Sequence, residues 1–437
     1  MEFSLDSGNT AWILTASALV LLMTPGLAFF YGGMVRGKSV LNMMMMSFGA
    51  LGVVSLVWVL WGYSMTFGTD IGGIIGNPAE YFGVSTISDE NSLMAAAGVP
   101  ALVAVAFQAT FAIITVALIS GAVADRMKFS AWMVFAGVWV TLVYVPIAHM
   151  VWGGGLLGAT GITEAISVPI DFAGGTVVHI NAGIAGLVLA VILGKRKGFG
   201  KESMRPHNLP FVMLGAALLW FGWFGFNAGS EFAADGTAGR AWLNTLVATC
   251  IAMLAWLATE KVRDGRATSL GAASGVVAGL VAVTPAAAAV DTFGALAIGA
   301  VAGVLCALAV GLKYTFGYDD SLDVVGVHLV GGLTGTILIG LFANVGEGVN
   351  GTWYAVGSLN GLFYGGGLNQ LATQVIVALF AVVFSGVLTA VIALAIKATM
   401  GLRVSEEAEV SGADLALHGE TAYETLGGAR VTQEVRA

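Results

Sequence analysis

The 437-residue chain has few of the residues that form a soluble protein surface. Only 10% of its residues are charged, against about a quarter in an ordinary soluble chain. Hydrophobic residues make up 57%, and the mean hydropathy is +0.89. One soluble core cannot bury that much apolar surface, so the composition excludes a soluble enzyme and indicates a protein embedded in a lipid membrane.

Cysteine is also scarce. Cys250 and Cys306 both lie in apolar runs, so we interpret them as packing residues rather than as a disulfide. The sequence contains no visible nucleophile–base constellation or phosphate-binding loop, so we expect no enzymatic activity, no cofactor and no nucleic-acid partner. Glycine, in contrast, is abundant at 62 positions, which suits helices that approach each other closely in lipid.

Apolar windows of about 20 residues are long enough to cross a bilayer as helices. The chain has eleven of them, so the predicted fold class is an all-α polytopic membrane protein. The windows lie near residues 10–31, 42–67, 99–123, 131–151, 171–193, 209–229, 241–259, 268–289, 294–315, 323–343 and 370–397.

The basic residues predict the orientation of these helices. Asp6 precedes the first window while Arg36 and Lys38 follow it, which places the N-terminus outside and argues against a cleaved signal peptide. Eleven spans then put the C-terminus in the cytoplasm. Of the 18 Lys and Arg residues, 17 fall inside and only Arg240 falls outside. The positive-inside rule expects this bias, and the predicted location is the plasma (cell inner) membrane.

Two histidines lie in matching surroundings 149 residues apart. In each copy an aspartate lies eight residues before the histidine and a glycine four residues after it: Asp171, His179 and Gly183, then Asp320, His328 and Gly332. The copies end two five-helix sets, at about 10–193 and 209–343. An odd number of helices inverts the second set, and inverted repeats place a shared site near the bilayer midplane. The eleventh helix, about 370–397, completes a transmembrane domain over residues 1–397.

The histidine pair can be interpreted in two ways. Each imidazole could be a packing residue that donates to a nearby carbonyl, but ionisable groups inside membrane helices usually mark a substrate or ion pathway. Neutral imidazole offers one donor and one acceptor, which suits a small polar solute better than an alkali ion that needs several oxygen ligands. Without nearby cysteine or carboxylate ligands, a metal site is weakly supported and none is expected.

Aromatic residues cluster near the predicted outer ends of several helices, around Phe111, Trp152 and Phe226. They could be an aromatic belt that anchors helix ends in the membrane interface. They could also form a vestibule in which ring faces and the Ser230 hydroxyl replace part of the hydration of a small cation. Glycines between the rings favour the second interpretation.

The aspartates of the two histidine motifs have a structural interpretation. Asp171 is expected to cap backbone N–H groups at the start of the fifth helix, which also adds negative potential near a cation site. Asp320 and Asp323 are expected to do the same at the inner start of the tenth helix. Thr284 and Pro285 interrupt the eighth helix near its outer end, where a proline frees carbonyls to face a cavity.

Three stretches resemble the ammonium transporter (Amt/Mep/Rh) family, of the bacterial or archaeal type. They are DFAGGTVVHINAG at 171–183, GWFGFNAGS at 222–230 and DVVGVH at 323–328, within a likeness that runs from about residue 10 to the tail. The resemblance implies a homotrimer of eleven-helix protomers, each with its own hydrophobic pore for ammonium or ammonia. Phe107 departs from the family, which often shows tyrosine there. Glu231 also departs, since a small residue is common after Ser230, and its charge could strengthen cation attraction.

The resemblance also implies roles for residues along one path. By motif position, these are an outer recruitment site of Trp152, Phe111 and Ser230 with Gln108 nearby, a gate of Phe111 and Phe226, and a pore of His179 and His328 supported by Trp223 and Thr284.

Residues 398–437 form a polar cytoplasmic tail. Its acidity alone predicts a solvated and partly disordered end. The tail also resembles the regulatory tail of the family, which packs under the neighbouring subunit and couples the pores. The usual partner of the family at that place is a trimeric PII-type signal protein that plugs the cytoplasmic exits.

The functional hypothesis is inward movement of ammonium or ammonia. One alternative is a channel for a neutral solute such as urea, water or carbon dioxide, although neutral solutes would gain little from cation–π attraction. The other is a sensor of ammonium, although a tail of about 40 residues is shorter than a typical signalling domain.

Overall fold

The structure, a computed structural model, describes residues 3–345 and 357–423. Within these ranges eleven helices are long and apolar enough to cross a membrane, which confirms the predicted fold class. They are α1 (Ser7–Met34), α2 (Val40–Phe67), α3 (Ala101–Val123), α4 (Phe129–Trp152), α5 (Gly175–Leu193), α6 (Leu209–Gly229), α7 (Gly236–Asp264), α8 (Ser269–Ala286), α9 (Thr292–Phe316), α10 (Val325–Phe342) and α11 (Asn369–Thr399). Two short tail helices follow, α12 (Glu406–Ser411) and α13 (Ala413–His418).

Polar side chains set where many of the spans begin. A side-chain oxygen of the residue before the helix accepts a backbone N–H of the first turn in five spans, through Asp6, Asn208, Asp235, Thr268 and Asp291. Such caps satisfy N–H groups that have no partner inside the helix. At the other end of α8, the last turn contains Pro285, and the helix stops at Ala286.

The connections between the spans collect on two opposite faces. On the first, the basic face, Arg196 pairs with Asp125 at 3.2 Å and with Asp319 at 2.9 Å, which joins the loops after α3, α5 and α9. On the second, the acidic face, the N–H of Asp6 bonds to the carbonyl of Gly98 before α3. This sorting is the one that eleven alternating spans require.

The two histidine helices lie at the centre of the bundle. The first turns of both are π-helical, at Gly175–Ile180 in α5 and Val325–Leu329 in α10, and each packs against the other helix. Helix α1 packs extensively along α6, its counterpart in the second set, and α11 covers α5 and α10. Wider π-turns are uncommon and are frequent at functional sites.

The long connection between α2 and α3 forms part of the acidic face. It carries a short antiparallel hairpin, β1 (Asp70–Ile71) and β2 (Ile75–Gly76). Three 3₁₀ turns follow in the same connection, and a fourth precedes α11; they span Phe82–Val84, Asp89–Asn91, Ala95–Ala97 and Leu362–Tyr364.

The described part of the tail packs on the basic face of its own chain. The N–H of Val404 bonds to the carbonyl of Arg126 at 3.0 Å, and the buried Asp414 carboxylate accepts the N–H of Asn42 at 2.8 Å. These contacts differ from the solvated end that composition alone predicts. Residues 424–437, with Arg430 and Arg436, lie outside the described residues.

Candidate functional site

A cavity of about 270 Å³ opens on the acidic face, and we call it the vestibule. Its walls include Gln108 and Phe111 of α3, Trp152 at the end of α4, Ser230 after α6, and Asp171 before α5. The structure therefore brings together the four residues that the family resemblance assigns to an outer recruitment site.

Polar atoms lie beside the aromatic walls of the vestibule. The Trp152 indole Nε1 donates to the carbonyl of Asp171 at 3.0 Å, which fixes the ring orientation. The Ser230 hydroxyl donates to the carbonyl of Phe226 at 2.8 Å, so its oxygen can still accept a hydrogen bond. Within the described residues, the buried Oε1 of Gln108 has no hydrogen-bond partner. Because buried acceptors are normally paired, this oxygen is available to a donor in the vestibule.

A pair of phenyl rings closes the bottom of the vestibule. The rings of Phe111 and Phe226 are stacked, with centroids 4.2 Å apart and planes inclined by 23°. Phe111 also meets the edge of Trp152 at 6.1 Å. Phe111 lines the vestibule and Phe226 lines a second cavity deeper in the bundle. The ring pair therefore separates the two cavities.

The second cavity is very small and mostly apolar. It measures about 10 Å³, which is room for about one water-sized molecule. Its lining is Met23, Leu27, Phe30, Ile114, Leu118, Val178, His179, Leu219, Trp223, Phe226, Val277 and His328.

The two predicted histidines meet at this cavity. Their Nδ1 atoms are 3.4 Å apart, and their rings are nearly parallel with centroids at 5.4 Å and planes at 19°. A hydrogen bond between two neutral rings requires one Nδ1 that carries a proton and one that does not. The pair then has one bare Nε2 and one Nε2–H for other contacts. In the described part of the chain, the buried Nε2 of His179 has no partner.

A series of hydrogen bonds holds the indole ring of Trp223, which lies against His179. Trp223 stacks on His179 at 5.4 Å and 19°, and its Nε1 donates to the Thr284 hydroxyl at 2.8 Å. That hydroxyl can in turn donate to the carbonyl of Leu280 at 2.8 Å. Trp223 lines the second cavity, whereas Thr284 lies behind the indole and holds it.

The start of α5 is built around one carboxylate. Asp171 accepts the N–H groups of Gly174 and Gly175 at 2.8 and 2.6 Å, and those of Thr176 and Val177 at 2.8 and 3.1 Å. Burial raises the pKa of the Asp171 carboxyl, and the four N–H donors act in the opposite direction. The carboxylate thus holds the π-turn that carries His179.

The equivalent position before α10 is built differently. Asp320 accepts the N–H of Val325 at 2.7 Å, so it caps the helix as the sequence predicts. The Asp323 side chain instead pairs with the Lys313 ammonium at 2.6 Å, so capping is the wrong role for it. Burial raises the pKa of Asp320, and Lys313 opposes that shift.

Two glutamines of α11 also position the vestibule wall, and the sequence interpretation missed them. Gln374 accepts the N–H of Ile170 at 2.9 Å and donates to the carbonyl of Ile170 at 2.8 Å. Gln370 accepts the hydroxyl of Ser167 at 2.6 Å. Both side chains are buried and hold the segment that leads into Asp171. Their signal is two amides one helical turn apart in an otherwise apolar run.

These features define a polytopic membrane protein with two internal cavities that a stacked phenyl pair separates. In the residues described, no group of three or more His, Cys, Asp or Glu side chains could hold a metal ion. The sequence profile of the Ammonium Transporter Family matches residues 11–423. The chain therefore belongs to the ammonium transporter family, whose members are multi-pass proteins of the plasma membrane.

Named relatives cover nearly the whole chain. It is 58% identical to an ammonium transporter of Mycobacterium tuberculosis (strain H37Rv) over 96% of this chain and 91% of the relative. It is 52% identical to an ammonium transporter of Aquifex aeolicus over 97% and 95% of the two chains.

Solved structures of similar proteins share the fold. Saccharomyces cerevisiae Mep2 is 35% identical with a TM-score of 0.83, over 92% of this chain and 91% of that one. A protein titled Sensor Amt Protein is 28% identical with a TM-score of 0.83, over 94% and 98%.

Proposed function

We propose that this protein moves ammonium inward across the plasma membrane, recruiting the cation in the vestibule and passing it through the histidine cavity as ammonia. The observation that carries the proposal is the cavity below the stacked phenyl rings. It has room for about one water-sized molecule and is bounded by two buried imidazoles. An ammonia molecule fits this size and can both donate and accept hydrogen bonds.

Recruitment would use the ring faces and oxygens of the vestibule. A cation over the faces of Trp152 and Phe111 gains electrostatic attraction from the rings. Its N–H groups could donate to the Ser230 hydroxyl oxygen and to the Oε1 of Gln108, which has no partner among the described residues. These contacts replace part of the hydration shell, which a neutral solute would not need.

Selectivity against alkali ions would follow from the space beyond the gate. Phe111 and Phe226 must part to admit a solute, and the second cavity is lined mainly by aliphatic and aromatic groups. A bare cation there would lack the oxygen ligands that offset the loss of water. Ammonia is neutral, so it does not need such ligands. It could donate a hydrogen bond to one imidazole nitrogen and accept one from an Nε2–H of the pair. The proton would be lost, or relayed separately, before this point.

The orientation and assembly form part of the same proposal. The basic face would be cytoplasmic, in line with the positive-inside rule, and the vestibule would open to the outside. Three protomers would associate, each with its own path. The tail, docked through Asp414 on the basic face, would be the regulatory element near which a PII-type signal protein binds.

The first experiment measures transport in proteoliposomes. Saturable uptake of methylammonium is expected for the wild-type protein, together with its loss in His179→Ala and His328→Ala. His207→Ala is the matched control, because His207 lies on the basic face far from the path, bonded to Val35 and Tyr423. Robust potassium uptake without any response to ammonium would overturn the proposal.

A second variant separates cation recruitment from a channel for neutral solutes. Trp152→Leu should weaken methylammonium uptake and leave water permeability unchanged, because only a cation gains from the ring face. Trp242→Leu is the control, since Trp242 is partly exposed on α7 and stacks on Phe224. Equal effects of Trp152→Leu on both solutes would favour the neutral channel.

A sensor is the second candidate function. It is favoured by the likeness to the Sensor Amt Protein and by the tail docked against the loops of the helices that carry the path. The two functions differ in flux: a sensor that does not transport would bind methylammonium in proteoliposomes without accumulating it.

A further inference from the structure

A third histidine, His149, lies just behind the vestibule wall. It is fully buried in α4, one helical turn before Trp152. Its Nδ1 lies 2.7 Å from the carbonyl oxygen of Thr66, and its Nε2 lies 2.8 Å from Oδ1 of Asp70. Both partners are hydrogen-bond acceptors, so the ring satisfies both contacts only when both nitrogens carry protons. The geometry is that of an imidazolium with Asp70 as its counter-ion.

Asp70 connects this ring to the surface hairpin. Its two carboxylate oxygens also accept the N–H of Gly73, at 2.9 and 3.1 Å. The hydrogen bond from His149 is the main cause that lowers the pKa of the Asp70 carboxyl, and the Gly73 N–H adds to it. The Asp70 side chain is 44% exposed, so the outside solution reaches the pair.

The hairpin and α4 together hold one wall of the vestibule. The carbonyl of Gly73 accepts the N–H of Leu156, and the His149 carbonyl accepts the N–H of Gly153, where α4 ends. The segment between His149 and Leu156 supplies Val151 and Trp152 to the vestibule lining. A change in the His149–Asp70 contact would therefore be transmitted to the orientation of the Trp152 ring.

Other carboxylates also lie near the vestibule. Glu80 lies on the same connection as Asp70 and accepts the N–H of Thr69. Asp171 lies across Trp152 and is engaged by four N–H groups. Glu231 follows Ser230, and burial together with Asp235 raises its pKa to about 7. Of these carboxylates, Asp70 is the one that contacts His149.

We propose that His149 and Asp70 are positioning residues for the outer cation site, forming a charged clamp that holds Trp152 in its recruiting orientation. The inference rests on the proposed function. Because the clamp holds Trp152 at the vestibule wall, loss of the His149–Asp70 contact lowers the affinity for the transported cation. Maximal transport rate is unaffected, since the clamp lies on the vestibule side of the phenyl gate.

The test compares KM and maximal rate of methylammonium uptake in proteoliposomes at one fixed pH. Asp70→Ala should raise KM about fivefold or more, with an unchanged maximal rate. Asp70→Asn should keep KM close to that of the native protein, because the amide oxygen can still accept a hydrogen bond from Nε2 of His149.

Glu80→Gln is the matched control, because it removes a carboxylate from the same connection without touching the clamp. If Asp70→Ala and Glu80→Gln raise KM equally, Asp70 acts only as surface charge and the inference is wrong. It is also wrong if Asp70→Asn raises KM as much as Asp70→Ala does. Absence of saturable uptake in the unmodified protein would instead refute the proposed function itself.

Discussion

Replacing Gly183 by alanine tests how the two buried histidines, His179 and His328, are held against each other. Gly183 lies one turn after His179, and a Cβ atom placed there would be 2.4 Å from the backbone nitrogen of Leu329, next to His328. Its counterpart Gly332 would place a Cβ 3.0 Å from the Cβ of His179. Each glycine of the duplicated motif thus packs against the histidine turn of the other repeat.

The size of the effect follows from these distances. Ordinary contacts begin near 3.4 Å, so Gly183→Ala must move α10 by about 1.0 Å, whereas Gly332→Ala needs about 0.4 Å. The histidine Nδ1 atoms are already 3.4 Å apart, and a further 1 Å would break their hydrogen bond. Overpacking of this kind lowers the free energy of unfolding by about 1–3 kcal/mol, and the higher helix propensity of alanine offsets up to about 1 kcal/mol of this loss. We therefore expect a small loss of stability and a loss of transport on the order of tenfold.

The assay is methylammonium uptake in proteoliposomes, normalised to folded protein and combined with thermal unfolding in detergent. Gly52→Ala is the matched control, because no atom of the described residues lies within 4 Å of a Cβ at that position of α2. The expected order of activity is Gly52→Ala equal to wild type, then Gly332→Ala, then Gly183→Ala. Wild-type transport by Gly183→Ala, or greater damage from Gly332→Ala, would refute the close-packing argument.

Three further predictions concern the surroundings of the path. Because the pKa of Glu231 is raised to about 7, its ionisation above that pH adds negative charge at the vestibule. The KM for methylammonium should therefore fall as the pH rises through 7 in the wild type, and Glu231→Gln should abolish this fall. Gln374→Leu should raise KM with little change in maximal rate, because it releases both backbone groups of Ile170. A large drop in the thermal unfolding temperature would instead show that the variant destabilises the whole protein. Asp414→Ala removes a cap on Asn42 worth about 1 kcal/mol, so limited proteolysis should cut the tail faster than in the wild type.

The sequence predicts the scaffold of this protein well because lipid imposes simple rules. A span must be long and apolar, and loops with lysine and arginine collect on one side, so eleven windows and their alternation follow from composition alone. The histidine motif is visible because an imidazole is rare within an apolar run. Its duplication places His179 and His328 together before any geometry is known, and the structure has them in contact.

The sequence does not predict the contacts that orient the site. His149 and Asp70 are 79 residues apart, and no local pattern links them. The π-turns around His179 and His328 are equally invisible, because helices that are apolar all round show no periodicity that a wider turn would disturb. Motif position alone gives Asp323 the same role as Asp320, although Lys313, on the preceding helix, binds the Asp323 carboxylate.

The two ends of the proposed path differ in their side chains and local structure, and this difference bears on the direction of transport. The aspartate cap, π-turn, histidine and packing glycine occur in both repeats, so the centre of the path has nearly the same chemistry from either side. The vestibule instead uses Trp152, the β1–β2 hairpin and the α11 glutamines, which have no counterpart at the other end among the described residues. At the other end, the carboxylate of Asp323 is occupied by Lys313. Changes at the centre should therefore alter flux in both directions alike, whereas changes in the vestibule should alter apparent affinity from the vestibule side alone.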